Sequence, residues 1–150
     1  FDEAAGRLFW KASRGGWGAG REAGTITFDG YRRVGIDGKQ YRTHDLVWFL
    51  SRGEWPDFYI DHKNLDRDDN RPDNLRRATY SQNGANTALG ARNTSGFKGV
   101  SRIRGTNLWL ATIKVQGRSK CLGRHASPEK AHAAYAKAAI EAFGEYARTA

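Results

Sequence analysis

The fold is decided by the stretch from Tyr59 to Asn86, YIDHKNLDRDDNRPDNLRRATYSQNGAN. Aromatic and β-branched residues at 58–60 predict a short strand, and the polar residues at 63–73, which include a proline, predict a loop. Residues 75–78 fit a second short strand. A capping box at Thr79, with glutamine three residues later, predicts the start of a helix. The stretch therefore predicts the order strand, loop, strand, short helix.

Two side chains at the end of the first predicted strand combine a hard oxygen ligand with a base. Asp61 offers a carboxylate, and His62 has an imidazole with an unperturbed pKa of about 6.5, suited to take a proton near neutral pH. Neighbouring strand residues point to opposite faces, so one can hold a metal while the other faces a water. Asn74 and Asn83 add amide oxygens that can orient an imidazole or complete a metal shell. Oxygen ligands suit Mg²⁺, and a metal with a base in a basic protein fits phosphodiester hydrolysis.

These residues resemble the HNH endonuclease motif, in the His-Asn-Asn form found in phage and intron-encoded homing endonucleases. The resemblance covers Thr43 to Asn86 and rests on Asp61-His62, Asp69-Asn70-Arg71, Asn74-Leu75-Arg76 and Ser81-Gln82-Asn83. It implies that Asp61 and Asn83 bind one divalent metal ion, magnesium first and manganese as the alternative. It also implies that His62 is the general base and that Asn74 orients His62 or braces the loop. The implied core is a ββα-metal (His-Me finger) unit over about residues 58–88.

Some features near this motif allow a purely structural interpretation. His44 matches a family position that we interpret as structural, and Asp45 stands where the family usually has a basic residue. The acidic run 66–69 lacks the central glycine and closing glutamate of an EF-hand, so we interpret it as a solvated loop. An Asp-His pair alone is more often a surface or hydrogen-bonding feature. The two asparagines at matching places favour catalysis instead.

Composition points to a polyanionic partner and limits the metal chemistry. The chain has 150 residues and a formal net charge of +9, from 25 Lys and Arg against 16 Asp and Glu. Such an excess indicates attraction to nucleic acid, although by itself it reports only nonspecific attraction. Cys121 is the single cysteine, which excludes an internal disulfide and a Cys-rich structural zinc site. With no long apolar run and no apolar leader, we expect no membrane partner and a location in the bacterial or phage-infected host cytosol.

The N-terminal part predicts a small antiparallel sheet followed by a helix. Strands are predicted at 8–10, 23–28, 31–36 and 40–42, with a glycine-rich loop at 13–20. Arginines, including Arg14, decorate this sheet, with a solvated face and phosphate contact left as equal alternatives. A helix is predicted from Thr43 to Arg52, with Thr43 as its cap and Gly53 at its end.

The C-terminal part predicts three strands and one helix. The strands are predicted at 97–103, 109–115 and 118–123. Ser127 is the predicted helix cap and Pro128 the first helical residue. The region from Asn93 to Phe143 resembles the Apetala-two-type DNA-binding domain of plant transcription factors, which also occurs fused to phage HNH nucleases. In that family the sheet lies in the major groove of DNA, whereas Trp109 here allows the alternative of a core residue under the helix.

Together these patterns predict an α+β fold of two domains. Residues 1–90 form an HNH nuclease domain with N-terminal antiparallel hairpins and the ββα-metal core, and residues 91–150 form a three-stranded antiparallel sheet packed on one helix. The predicted contacts with double-stranded DNA are Arg67, Arg71, Arg76 and Arg77 near the active site, and Arg102, Arg104, Trp109, Lys114, Arg118 and Lys120 in the second domain.

The predicted function is that of a metal-dependent DNA endonuclease, of homing or phage nicking type. A monomer is favoured because one active site per chain suits a nick. The alternative is a non-catalytic DNA-binding regulator, which would have no need of Asp61, His62, Asn74 and Asn83 together. An RNA binder or RNA nuclease is the third hypothesis, although no recognisable RNA-binding module occurs in the chain.

Overall fold

The computed structural model describes residues 1–12 and 18–149. Residues 13–17, which include Arg14 and most of the predicted loop 13–20, lie outside the described residues. The chain forms two compact units, Phe1–Ala78 and Thr79–Ala150. Both contain antiparallel strands and helices, which confirms the α+β class. The functional division that we expect between residues 90 and 91 stays a prediction.

The first unit consists of a three-stranded sheet, a helix and a two-stranded hairpin. Its elements are β1 (Thr25–Ile26), β2 (Arg32–Ile36), β3 (Lys39–Arg42), α1 (Thr43–Arg52), β4 (Tyr59–His62) and β5 (Leu75–Ala78). The strands β1, β2 and β3 pair antiparallel in that order, and β4 pairs antiparallel with β5. The predicted strand, loop and strand of the motif are therefore present, with β4 extended to include His62.

Two N-terminal predictions were wrong, both for reasons of backbone geometry. Residues 8–10 do not form a strand but a single bridge between Phe9 and Glu22. The strand expected from residue 23 begins only at Thr25, because Gly24 has φ +89° and interrupts the extended backbone.

The start of α1 also differs from the prediction. Its N-cap is Arg42, which has no side-chain capping hydrogen bond. Thr43 is instead the first helical residue, and its buried hydroxyl has no hydrogen-bond partner within the described residues. The extended end of β3 runs directly into the helix, so packing rather than a cap determines where α1 begins.

One apolar core supports the first unit. It consists of Leu8, Ala23, Val34, Val47, Trp48, Ile60 and Leu75. Val47 and Trp48 come from α1, whereas Ile60 and Leu75 come from the hairpin. Because these residues pack together, α1 and β4 are held against each other at the base of the motif.

A cluster of ion pairs fixes the loop between β4 and β5 to the rest of the first unit. Arg7 and Arg32 both pair with Asp68, at 3.0 and 2.8 Å, and both also pair with Glu22. The Arg32 and Asp68 side chains are only 13% and 17% exposed, so these pairs are screened less than surface pairs. The loop is thereby tied to residues more than thirty positions away.

The second unit begins with a helix and continues with a sheet covered by a longer helix. Its elements are α2 (Tyr80–Ala85), β6 (Val100–Arg102), β7 (Trp109–Val115), β8 (Arg118–His125), α3 (Pro128–Phe143) and a 3-10 helix at Gly144–Tyr146. The sheet is antiparallel in the order β6, β7, β8. The predicted capping box at Thr79 is present, and Ser127 caps α3 by accepting from the Lys130 backbone N–H.

The strand expected over 97–103 is shorter in the structure because of Gly99. Gly99 has φ +70°, and a Cβ on it would lie 2.1 Å from Cδ2 of Tyr135. Only glycine therefore allows the Tyr135 ring of α3 to lie against the backbone at this point. The extended backbone begins after it, at Val100.

The helix α2 is built into the core of the second unit. Ala85 is 6% exposed and packs in a cluster with Ile113 and Tyr135. The Lys98 ammonium donates to the backbone carbonyls of Ala85 and Thr87, which satisfies acceptors at the C-terminal end of α2. This helix therefore depends on the C-terminal sheet for its position.

Candidate active site

The antiparallel register of β4 and β5 places Asp61 and His62 on opposite faces of the hairpin. Asp61 lies opposite Arg76, and His62 lies opposite Leu75. Asp61 is 4% exposed, and its Oδ2 accepts a hydrogen bond from Arg76 Nε at 2.8 Å. His62 shares the side of Ile60, which packs in the apolar core.

One amide orients the imidazole of His62. His62 Nε2 lies 3.2 Å from Asn70 Oδ1, and Asn70 Nδ2 donates to the Asp68 carbonyl at 3.1 Å. Since only the NH₂ group can donate to that carbonyl, the amide oxygen of Asn70 must face the ring. His62 Nε2 therefore carries a hydrogen, and Nδ1 is the ring nitrogen that keeps its lone pair. Asn70 is 1% exposed, so this arrangement is shielded from water.

Two rings pack against His62. The centroid of the His44 ring lies 5.2 Å from that of His62 at 69°, and the centroid of Tyr31 lies 5.9 Å away at 53°. His44 and Tyr31 also meet edge to face at 5.3 Å. The three rings brace one another by the geometry that aromatic quadrupoles prefer. His44 Nε2 lies 3.3 Å from a carboxylate oxygen of Asp45, the residue that departs from the family pattern.

Burial sets the charge state of both histidines. Burial lowers the pKa of His62 below its ordinary value, against the opposing hydrogen bond to Asn70 and the charge of Asp61. Burial, together with the neighbouring His62, lowers the pKa of His44 to about 3. Both rings are therefore neutral at pH 7, the form in which an imidazole can accept a proton.

Asn74 braces the loop. Its side-chain oxygen accepts from the Asn64 backbone N–H at 3.1 Å. Its NH₂ group donates to the Asn64 side chain at 3.0 Å and to the Asp69 carbonyl at 2.7 Å. Of the two possible tasks that the sequence left open for Asn74, the contacts match the second. The contact with His62 comes from Asn70 instead.

The candidate metal ligands lie in different units. Asp61 ends β4 in the first unit, and Asn83 lies within α2 in the second. Across residues 1–12 and 18–149, no three His, Cys, Asp or Glu side chains gather into a group that could hold a metal ion. A carboxylate and an amide nevertheless fit a hard divalent cation of the Mg²⁺ type, since such ions are held by one or two carboxylates together with water and substrate phosphate. Asn83 is partly exposed.

The four arginines predicted near the active site all have partners within the first unit. Arg76 is 11% exposed and bonds to Asp61. The other three extend along the surface: Arg67 lies over the Tyr31 ring, Arg71 pairs with Asp69, and Arg77 lies over the Phe58 ring. Those three are exposed, so they remain accessible to a phosphate, whereas Arg76 is mostly buried beside Asp61.

The basic side chains predicted to contact DNA in the second unit are divided by the strand register. Lys114 lies opposite Ser119, on the face away from the buried Ile113, whereas Lys120 lies opposite Ile113 itself. Trp109 packs partly buried against the cluster of Val100, Ala111 and Ala131. Arg102 lies opposite Trp109, and Arg118 lies opposite Val115, so both are on the side of the sheet that carries Trp109. Arg104 is exposed in the turn after β6.

Three residues of interest were missed by sequence reasoning. Asn70 bonds to His62; it lies within the motif quoted above, where no role was assigned to it. Tyr31 lies directly before β2 and reaches His62 from 31 residues away, which no local pattern reveals. Arg124 lies opposite Leu110 on the same outward face of the sheet as Lys114, and the predicted strand ended one residue before it.

Comparisons with known proteins identify the family of the chain. Residues 41–85 match the family model of HNH endonucleases. Protein 3.8 of Escherichia phage T7 is 35% identical over 81 residues, which cover 53% of this chain and 67% of that protein. The chain therefore belongs to the HNH endonuclease family and is a nuclease.

A solved structure is also similar. That structure concerns DNA binding and cleavage by the HNH homing endonuclease I-HmuI. The match has a TM-score of 0.45 and 24% identity, and it covers 94% of this chain and 75% of that chain.

Within the described ranges, none of the helices combines the length and apolar character needed to cross a membrane.

Proposed function

We propose that this nuclease hydrolyses a phosphodiester bond of double-stranded DNA, with His62 as the general base and Asp61 and Asn83 as ligands of one divalent metal ion. The observation that carries the proposal is the orientation of His62. Its Nε2 is held by Asn70, which leaves Nδ1 as the basic nitrogen at the end of β4, beside a buried carboxylate.

The reaction follows from these groups. His62 Nδ1 takes a proton from water, and the oxygen attacks phosphorus in line with the leaving 3′ oxygen. The bond from phosphorus to that oxygen breaks, and the leaving oxygen takes a proton from solvent. A correctly placed base contributes roughly 10²–10⁴ to the rate. The products are a 5′ phosphate and a 3′ hydroxyl.

The metal ion would supply charge stabilisation of the phosphate in the transition state. Asp61 would provide a carboxylate oxygen and Asn83 an amide oxygen. Magnesium is the proposed ion and manganese the alternative, because both prefer oxygen ligands. Asn74 is proposed as the brace of the loop that carries Asn70, and Arg76 as the group that holds the Asp61 carboxylate in place.

Other arginines of the first unit are proposed as phosphate contacts. Arg67, Arg71 and Arg77 are exposed and lie on or beside the motif. Each is also an always-charged donor suited to a phosphate oxygen. Arg76 belongs to the same predicted set, although its bond to Asp61 limits how far it can reach.

We further propose that the second unit binds DNA as an Apetala-two-type domain. The proposed contacts are Arg102, Arg104, Trp109, Lys114, Arg118 and Lys120. Lys114 and Arg124 share the outward face of the sheet, and together with the net charge of +9 they support attraction of this face to the DNA backbone. The partly buried Trp109 is the weakest member of the set, because it packs under α3.

The proposed working form is a monomer that nicks one strand, since each chain has one candidate site. A bacterial or phage-infected cytosol is the proposed compartment. The phage T7 relative supports a phage context.

The experiment that tests the proposal is a supercoiled-plasmid assay. Wild type is incubated with magnesium, with manganese and with chelator, and compared with His62→Ala. The matched control is His125→Ala, which removes an imidazole at the end of β8. We expect open circular product that requires both the metal and His62, and normal cutting by the control.

Four results would contradict parts of the proposal. Cutting by His62→Ala would remove His62 from the role of base, and cutting in chelator would remove the metal. Tight plasmid binding by wild type with no cutting under any metal would favour the non-catalytic regulator. Linear product in place of open circle would indicate paired cuts by two chains.

A further inference from the structure

The turn between β1 and β2 exposes a large aromatic side chain. Phe28 is 105% exposed, so the ring makes almost no contact with the protein. Ile26, two residues earlier, is 56% exposed. Apolar side chains of this size are normally half-buried at least. Phe28 therefore stands alone at the tip of a hairpin, and it contributes nothing to the core.

Hydrogen bonds hold this turn in one conformation. The Asp29 carboxylate accepts from the Thr27 hydroxyl and, at 2.7 Å, from Arg33 Nη2. The backbone closes the turn with a bond from Gly30 N–H to the Thr27 carbonyl at 2.8 Å, where Gly30 has φ +81°. These contacts lower the pKa of Asp29 to about 2, so the carboxylate stays charged at neutral pH. The exposed ring is therefore presented by a rigid support.

The turn adjoins the candidate active site. Arg67 donates to the Asp29 carbonyl at 2.6 Å and places its guanidinium 5.0 Å from the Tyr31 ring centroid. Tyr31 in turn contacts the ring of His62. Only two residues along the chain separate Phe28 from Tyr31. A duplex whose phosphate is held at His62 would therefore meet the Phe28 turn.

Three arginines lie around the turn and Tyr31, one of them paired with the Asp29 carboxylate. Arg33 and Arg67 flank the turn, and Arg42 places its guanidinium 5.1 Å from the Tyr31 ring centroid. Protein–DNA interfaces combine such arginines, which neutralise phosphates, with apolar wedges such as phenylalanine that enter between base pairs and kink the duplex. A surface for a protein partner would need a wider apolar area than one ring and one isoleucine.

We propose that Phe28 is a DNA wedge that inserts at a base step next to the scissile phosphate and distorts the duplex at the active site. The inference rests on the proposed function, because it takes duplex DNA as the substrate. The distortion would present the phosphate to His62, so that Phe28 determines how well a DNA site is cut without touching the reacting atoms.

The test compares DNA unwinding by variants that bind but do not cut. His62→Ala protein is added to relaxed plasmid, the DNA is treated with a topoisomerase, and the protein is then removed. Insertion of a side chain between base pairs unwinds DNA, so negative supercoils should remain. Three additional changes are combined with His62→Ala: Phe28→Ala, Phe28→Trp and the control Leu50→Ala, which removes an exposed residue of α1.

At equal DNA occupancy, we expect the double variant with Phe28→Ala to leave fewer supercoils than His62→Ala alone. The double variants with Phe28→Trp and Leu50→Ala should leave as many supercoils as His62→Ala alone. In the cutting-competent protein, Phe28→Ala should bind plasmid roughly 5- to 150-fold more weakly, the scale of one base–aromatic stack. The melting temperature should not change, because the ring is fully exposed.

The two possible failures are distinguishable. In the first, wild type nicks plasmid while each Phe28→Ala variant matches the protein from which it was made in unwinding and affinity. In that case the proposal that Phe28 is a wedge is wrong, and the proposed function stands. If wild type neither binds nor nicks plasmid, the inference fails together with the proposed function. Equal loss of unwinding in the Leu50→Ala control would also overturn the inference, because the effect would then not be specific to the turn.

Discussion

At the scale of single residues, the ring of His62 is confined from several sides. Asn70 bonds to one nitrogen, and the rings of His44 and Tyr31 pack against it. Such contacts determine both the tautomer and the direction of the lone pair. The position of the proposed base is therefore prepared by the protein before any substrate binds.

The first prediction concerns Asn70. Replacing Asn70 by Ala removes the acceptor of the His62 Nε2 hydrogen, so we expect the nicking rate to fall about tenfold, the scale of one hydrogen bond of roughly 1 kcal/mol. The rate constant at saturating DNA measures this effect, and plasmid affinity should not change. The comparison variant is Asn74→Ala, whose lost bonds lie within the loop and which should lower the melting temperature more than Asn70→Ala does. Unchanged cutting by Asn70→Ala would show that this bond does not orient the base.

Sequence reasoning identified the candidate site residues but not all of their contacts. Asp61, His62, Asn74 and Asn83 stand out because their types and spacing carry a chemical meaning. The contact of Asn70 with His62 depends on which of several polar loop residues turns inward. Asn70 is 1% exposed and bonds both to the Asp68 carbonyl and to His62, and residue spacing alone does not show which loop residue becomes buried.

At the scale of elements, two glycines show how much a neighbouring ring constrains the backbone. Gly96 and Gly99 have nearly equal φ values, +76° and +70°. Space around Gly96 is open, whereas a Cβ on Gly99 would meet the Tyr135 ring and the Thr112 carbonyl. A side chain at Gly96 would meet only the strain of a positive φ, whereas one at Gly99 would meet that strain and overpacking as well.

The second prediction uses this pair. Gly99→Ala should lower the free energy of unfolding by roughly 2–4 kcal/mol, since overpacking adds to the strain of a positive φ. Gly96→Ala should cost about 1 kcal/mol, from the backbone alone. Chemical denaturation of the whole chain measures both. Equal losses for the two variants would show that the Tyr135 ring moves away at little cost.

The third prediction concerns the outward face of the C-terminal sheet. Lys114→Ala and Arg124→Ala should each weaken DNA binding and reduce the slope of log affinity against log salt by about 1, because each removes one phosphate contact. Lys137→Ala is the matched control, since Lys137 is an exposed lysine on α3. A loss with Lys137→Ala as large as with Lys114→Ala would mean that net charge alone drives binding.

Local patterns predicted the C-terminal elements better than the N-terminal ones. The cap at Ser127 and the capping box at Thr79 are local signals, and both were confirmed. The strand expected over 23–28 was mostly lost because Gly24 closely approaches the Arg33 carbonyl and adopts a positive φ. That approach is made across the hairpin of β1 and β2, and the strand pattern of residues 23–28 alone does not contain it.

At the scale of the whole molecule, carboxylates of the first unit make its stability depend on pH. Hydrogen bonds from Thr27 and Arg33 lower the pKa of Asp29 to about 2, and those from Arg71, with others, lower that of Asp69 to about 2. The ordinary aspartate pKa in an unfolded chain is about 3.9. A carboxylate whose pKa is lowered by folding stabilises the fold at pH values above its unfolded pKa. This contribution is lost as the pH falls through its folded pKa.

The fourth prediction follows from that sign. The free energy of unfolding should decline as the pH falls from about 4 to about 2, and it should be insensitive to these groups above pH 5. Tryptophan fluorescence during denaturation at several pH values measures the change. Asp29→Asn should reduce the pH dependence, since one titrating group is removed. A steeper decline in the variant would contradict the assignment.

The position of α2 determines where recombination could join this protein to segments of other proteins. The helix carries Asn83, yet Ala85 is packed in the core of the second unit and Lys98 holds the C-terminal carbonyl of the helix. Recombination between residues 90 and 91 would remove a piece of that core from the transferred module. A transferable module would instead begin at Thr79 and bring one candidate metal ligand with it. Inheritance of a different second unit would then also replace Asn83, the proposed metal ligand, so on that proposal the two units would have to evolve together.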